Sequence, residues 1–86
     1  MLSLEARDQL IRRLRKIEGQ TQDIQRMLAD DRECREVLNQ LASVKAATHR
    51  VSLELAKHYI LACLSDPDCA NSEESVSDLI KHLVRI

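Results

Sequence analysis

The chain has 86 residues, 44 % apolar and 31 % charged, with a net charge of −1. That suffices for one small domain with one core, and the balance is globular rather than disordered. One Gly, one Pro, one Tyr and no Phe or Trp exclude a phosphate-cradling glycine loop, a dinucleotide fingerprint and an aromatic base-stacking sheet. So little punctuation in a chain rich in Leu, Ala, Arg and Glu predicts long helices, an all-α fold over residues 1–86. No apolar run reaches the length of a membrane span and no leader sequence opens the chain. A cytoplasmic protein with no cofactor and no membrane contact is expected.

The apolar period predicts three helical segments. The first runs from about Leu4 to Leu28, with a heptad seam of Leu10, Leu14, Ile17, Thr21, Ile24 and Leu28. Gly19 lies inside it and is expected to permit a close backbone approach. Asp30 and Glu33 have the spacing of a capping box that opens the second segment. That segment spans about Arg32 to Leu64 without Gly or Pro. Its seam is Cys34, Val37, Leu41, Val44, Thr48, Val51, Leu55, His58 and Ala62, flanked by a stripe of Leu38, Ala42, Leu53, Ala56, Ile60 and Cys63. Asp66-Pro67-Asp68 marks a stop within a loop over Ser65–Ser72. Asn71 and Glu74 then have capping-box spacing ahead of a short third helix with Val76, Leu79, Ile80, Leu83 and Val84 on its apolar face.

A central helix of roughly 50 Å that is apolar on two stripes is too long for its two neighbours to cover. Homo-oligomerisation is the expected solution, beginning with an antiparallel two-fold dimer. The charge is unevenly placed as well. Residues 1–28 carry six Lys/Arg against four acids, whereas the remainder carries seven against ten. Arg12, Arg13, Arg15 and Lys16 crowd into little more than one turn. Such a cluster reads either as a solvated helix face or as a local phosphate-attracting patch.

Three cysteines without an export signal are not a disulfide scaffold. Cys34 and Cys63 stand 29 positions apart on the long helix, roughly 43 Å, so they cannot meet within one chain. Their midpoint falls between Thr48 and His49. Two copies packed antiparallel about that point bring Cys34 of one protomer to Cys63 of the other. The plain alternative is two buried cysteines acting as small hydrophobes. A soft-metal site is a further alternative: a trigonal Cu(I) set needs a third soft donor one turn before Cys63, and Tyr59 stands there. His58 is rotated about 100° away, while His49 and His82 read as surface or interface residues. Zinc needs four convergent ligands, of which two can be nominated. No spacing forces a Ser/His/Asp or Cys/His catalytic contact, so no enzyme is expected.

The string Arg13-Leu14-Arg15-Lys16-Ile17-Glu18-Gly19-Gln20, then Asp31-Arg32-Glu33-Cys34, then a long helix with Lys45, Arg50 and Cys63, resembles the copper-sensitive operon repressor family of bacterial transcription regulators (CsoR/RcnR type). The likeness covers nearly the whole chain. It implies a three-helix protomer that forms a dimer and then a disc-like tetramer, and that binds double-stranded operator DNA without a helix-turn-helix. Arg13 and Arg50 match family positions tied to operator binding, with Arg12, Arg15, Lys16 and Lys45 as neighbours of the same character. Copper sensors of this family keep Cys, His and Cys at the positions of Cys34, Tyr59 and Cys63. Nickel/cobalt and formaldehyde sensors use a His or Pro near the N-terminus, where this chain has Leu2. The two-cysteine pattern without histidine is similar to the persulfide-sensing CstR branch.

That resemblance implies a repressor released from DNA when a small sulfur donor bridges Cys34 and Cys63 of neighbouring protomers. Cys34, at a helix start beside Arg35, is expected to attack and Cys63 to resolve. A metal-sensing repressor using both thiolates is the alternative within the same fold. A helical oligomer that binds a protein partner and no DNA is the alternative from another class. Cys69 carries no role in any of these readings.

Overall fold

A computed structural model describes residues 2–86. Four helices follow one another: α1 (Leu4–Ala29), α2 (Cys34–Ser65), α3 (Pro67–Ala70) and α4 (Glu73–Arg85). Among the described residues there is no strand, and the architecture is multi-helical without a helix-turn-helix. Ser3 starts α1, its hydroxyl accepting from the Ala6 N–H at 3.1 Å. The seam threonines return their hydroxyls to their own helices, Thr21 to the Glu18 carbonyl and Thr48 to the Val44 carbonyl, each at 2.8 Å. Their polar groups therefore burden the seam with no unpaired hydroxyl.

The α1–α2 turn differs from the capping box the sequence predicts. Asp30 ends α1, and Glu33 precedes α2 without a side-chain capping bond. Asp31 instead takes a left-handed conformation, φ 56°. The Asp31 N–H bonds the Leu28 carbonyl at 3.2 Å and the Arg32 N–H bonds the Met27 carbonyl at 2.9 Å. That pair of reversed bonds is a Schellman closure with Asp in the place usually held by Gly. It satisfies the last carbonyls of α1 and folds α2 back against it. Arg32 then pairs with Glu36 at 2.7 Å on the first turn of α2.

The segment after α2 is also more ordered than a loop. Asp66 accepts from the Asp68 N–H at 3.0 Å and Pro67 takes the first helical position, so the predicted stop also starts α3. Asn71 ends that short helix, and α4 is capped by Ser72, whose hydroxyl accepts from the Ser75 N–H at 3.2 Å. The expected Asn71–Glu74 capping box is not formed.

α1 and α2 form the packed hairpin, and α4 leans on α2 beyond the α3 corner. The assembly measures 54 × 27 × 13 Å over its Cα atoms, so it is a slab one helix thick. Its radius of gyration is 17.2 Å, against about 12 Å for a compact chain of this length. Among the described apolar residues, only Leu10, Ile24, Val37, Val51 and Cys63 are buried. Leu14, Leu28, Leu41 and Leu55 of the predicted seams remain exposed, as do Val76, Ile80 and Leu83 of α4. Gly19 permits no close approach within the chain, because a Cβ built there meets nothing within 4 Å.

Candidate functional site

The hairpin register assembles a basic furrow. Arg13 stands 16 positions before the end of α1 and Arg50 stands 16 positions after the start of α2, so an antiparallel pair sets them opposite each other. On α1, helical spacing puts Lys16 and Gln20 on the side of Arg13. On α2, Ser43, Ala46 and Ala47 precede Arg50 at the same spacing. These residues and Ile17 line a furrow of about 380 Å³. Small side chains at its floor leave the cations at its walls. Among the described residues the ion pairs are Arg26–Asp23 at 3.0 Å and Arg32–Glu36 at 2.7 Å. Arg13, Lys16 and Arg50 thus keep their charge unneutralised by a carboxylate.

The other predicted basic residues are placed around this furrow rather than in it. Lys45 lines the adjoining hollow with His49, Ser52 and Arg85. Arg12 and Arg15 are exposed on the outward side of α1. The furrow's polar members Gln20 and Ser43 escaped the sequence reading. Counting outward from the turn was the signal that could have found them.

The thiols are arranged differently from the expected pattern. Cys34 is exposed at the first position of α2, and Cys63 lies near the far end of the same helix, so the two do not meet within the chain. Cys63 is only 3 % exposed. Its sulfur is bonded to Cys69, with the two Cα atoms 5.1 Å apart. The sequence reading left Cys69 without a role and expected no disulfide framework. Six positions and an intervening helix start bring Cys69 back to Cys63, a reversal that helical periodicity cannot express.

Tyr59, one turn before Cys63, faces His82 of α4 edge-on, the ring centroids 6.0 Å apart and the planes at 61°. The two rings share a largely apolar groove of about 450 Å³ between α2 and α4, with Leu55, Leu79, Leu83 and Arg85 among its walls. A soft trigonal metal set wants thiolate and imidazole donors. With a phenol at position 59 and the Cys63 sulfur bonded to Cys69, the residues in this state do not fit one. No three His, Cys, Asp or Glu side chains converge among the described residues of the single chain.

Comparison with known proteins gives consistent findings. A family model described as metal-sensitive transcriptional repressor matches residues 6–85. The chain is 35 % identical over 79 residues to the copper-sensing transcriptional repressor CsoR of Bacillus subtilis (strain 168), covering 91 % of this chain and 78 % of that protein. It is 34 % identical over 61 residues to the copper-sensing transcriptional repressor RicR of Mycobacterium tuberculosis (strain ATCC 25618 / H37Rv), covering 71 % of this chain and 64 % of that one. Among solved structures, the copper-sensing repressor CsoR with Cu(I) from Geobacillus thermodenitrificans NG80-2 superposes with a TM-score of 0.86 at 27 % identity, covering 99 % of this chain and 90 % of the other. The nickel-responsive transcriptional regulator InrS superposes with a TM-score of 0.77 at 31 % identity, covering 98 % and 92 %.

Proposed function

The chain belongs to the metal-sensitive transcriptional repressor family, whose members are not enzymes, and from that premise we propose that it is a cytoplasmic repressor that lays the Arg13–Lys16–Arg50 furrow on operator DNA and leaves it when its thiols meet persulfide or polysulfide. The observation that carries the DNA half is the furrow itself, three cations on two helices without a carboxylate partner. Arg12, Arg15 and Lys45 extend the same charge outward. Neutralised phosphates supply most of the affinity, and sequence preference comes through the shape of the duplex.

The effector half rests on the thiols. An antiparallel dimer about the middle of α2, assembling further into a tetramer, sets Cys34 of one protomer against Cys63 of another when Cys63 is reduced. The Cys34 thiolate attacks a sulfur of the polysulfide chain. A new S–S bond forms as one in the chain breaks, and a shorter sulfur anion departs. Cys63 of the second protomer then displaces the remaining leaving group as a thiolate. Two thiols are oxidised, the donor is reduced, and inserted sulfur stays in the bridge. Packed helix axes about 8–10 Å apart suit a bridge longer than a plain disulfide.

The second reading keeps the repressor and makes a metal the effector, and the copper-sensing relatives favour it. Anaerobic Cu(I) titration of the reduced protein against a competing chelator separates the two readings. For the DNA face, Arg13→Ala and Arg50→Ala are each expected to weaken binding to the promoter DNA preceding the gene. Each should lower the salt slope by about 0.9, with helicity and oligomer mass unchanged. Wild-type affinity and slope in both variants would place the DNA elsewhere.

A further inference from the structure

We infer that Cys63 and Cys69 form a dithiol–disulfide pair at the α2–α3 corner, a redox modification site complete within one chain that takes disulfide- or polysulfide-class electrophiles. The inference deepens the thiol-sensing reading, on which its regulatory meaning rests. Three observations place the pair. The two Cα atoms are 5.1 Å apart, inside the span a disulfide bridges without backbone movement. The corner is held by its own hydrogen bonds, Ala70 N–H to the Asp66 carbonyl at 2.9 Å and Asn71 N–H to the Pro67 carbonyl at 3.0 Å. Cys69 is half-buried whereas Cys63 is buried, so an electrophile reaches Cys69 first.

The chemistry balances without a further reagent. The Cys69 thiolate attacks one sulfur of a disulfide RS–SR, forming Cys69–S–SR and expelling one RS⁻. The Cys63 thiolate then attacks the Cys69 sulfur, forming the in-chain disulfide and expelling the second RS⁻. Two thiols are oxidised, one external disulfide is reduced to two thiols, and the two departing sulfur anions carry away the two cysteine protons. A tether of only six peptide units holds the second thiol at a high effective concentration. Closure therefore competes with any reaction of Cys63 with a thiol on another protomer.

Cys63 cannot serve two partners. While it is bonded to Cys69 it is withheld from Cys34 of a second protomer, and the corner from which α4 departs is fixed. The in-chain pair sets whether a cross-protomer bridge can form at all. Plain disulfides close the local pair, and the cross-protomer bridge is confined to protein whose Cys63 is reduced.

Trypsin reads the two bridges separately, because Cys34 falls in the peptide 33–35 whereas Cys63 and Cys69 share the peptide 58–81. The full-length reduced protein is treated with oxidised glutathione or sodium tetrasulfide, alkylated with iodoacetamide, digested and weighed without reductant. The expected result with glutathione is peptide 58–81 two hydrogens light and unalkylated, with Cys34 alkylated. Cys34→Ser should leave that signal unchanged. Cys69→Ser should abolish it and raise the tetrasulfide-induced link between 33–35 and 58–81 about tenfold, as expected when an intramolecular competitor is removed. Two alkyl groups on treated wild-type 58–81 would overturn the in-chain pair. An in-chain bridge in Cys34→Ser, with no cross-link in Cys69→Ser, retains the pair and discards the cross-protomer reading.

Discussion

Asp31 and Gly19 show two residues whose types are opposite to their local conformations. Asp31 occupies the left-handed region that Gly adopts at no steric cost. Asp31→Gly is expected to stabilise the chain by about 0.5–1 kcal/mol in urea unfolding, with the turn bonds to Met27 and Leu28 kept. Gly19 sits in mid-helix with open space around it, one turn after Arg15 and Lys16. Gly19→Ala should raise stability by about 1 kcal/mol, and a loss of promoter DNA affinity in the same variant would show that the duplex comes close to that side of α1. The sequence made Gly19 conspicuous as a place of close backbone approach, which the single chain does not make, because periodicity does not say whether a neighbour lies in the same chain. The caps were misplaced for a related reason. Asp30 and Glu33, or Asn71 and Glu74, have capping spacing, yet Asp31 and Ser72 offer competing terminations that only the closed turn decides. Arg13 and Arg50 entered together only through the family resemblance, and the tight hairpin, which converts sequence distance from the turn into spatial register, is what brings both to one furrow.

Among the elements, α1 and α2 were readable nearly to their ends, since long uninterrupted heptads leave little choice. α3 was not. Asp-Pro signals a stop and a start equally well, and four residues carry no period. Its consequence is chemical, since α3 turns Cys69 back to the end of α2. A closed loop of this length contributes about 2 kcal/mol by chain entropy. Cys69→Ser should therefore lower unfolding stability by that amount without reductant, and by nothing in its presence. Guanidinium titrations of both proteins with and without dithiothreitol check this. α4 is tied to the rest mainly through that corner and the Tyr59–His82 contact. Its exposed Val76, Ile80 and Leu83 show a face that the single chain leaves uncovered.

The whole molecule exposes 6895 Å², against about 5,200 Å² for a compact monomer of its mass. The excess of about 1,700 Å² equals two standard interfaces at about 800 Å² per partner. A one-layer slab built around a two-striped central helix reaches a conventional core only by stacking, which is the physical ground for the dimer and tetramer proposed above. The expected outcome is a melting temperature that rises steadily with protein concentration, measured by scanning calorimetry over a hundredfold dilution series. A concentration-independent transition with monomer mass in sedimentation would show that the slab stands alone. The 13 Å thickness also bears on gene dosage. Where folding and association draw on the same buried surface, the fraction of chains competent to repress falls with copy number by mass action. Halving the supply of chains then lowers the amount of assembled protein by more than half.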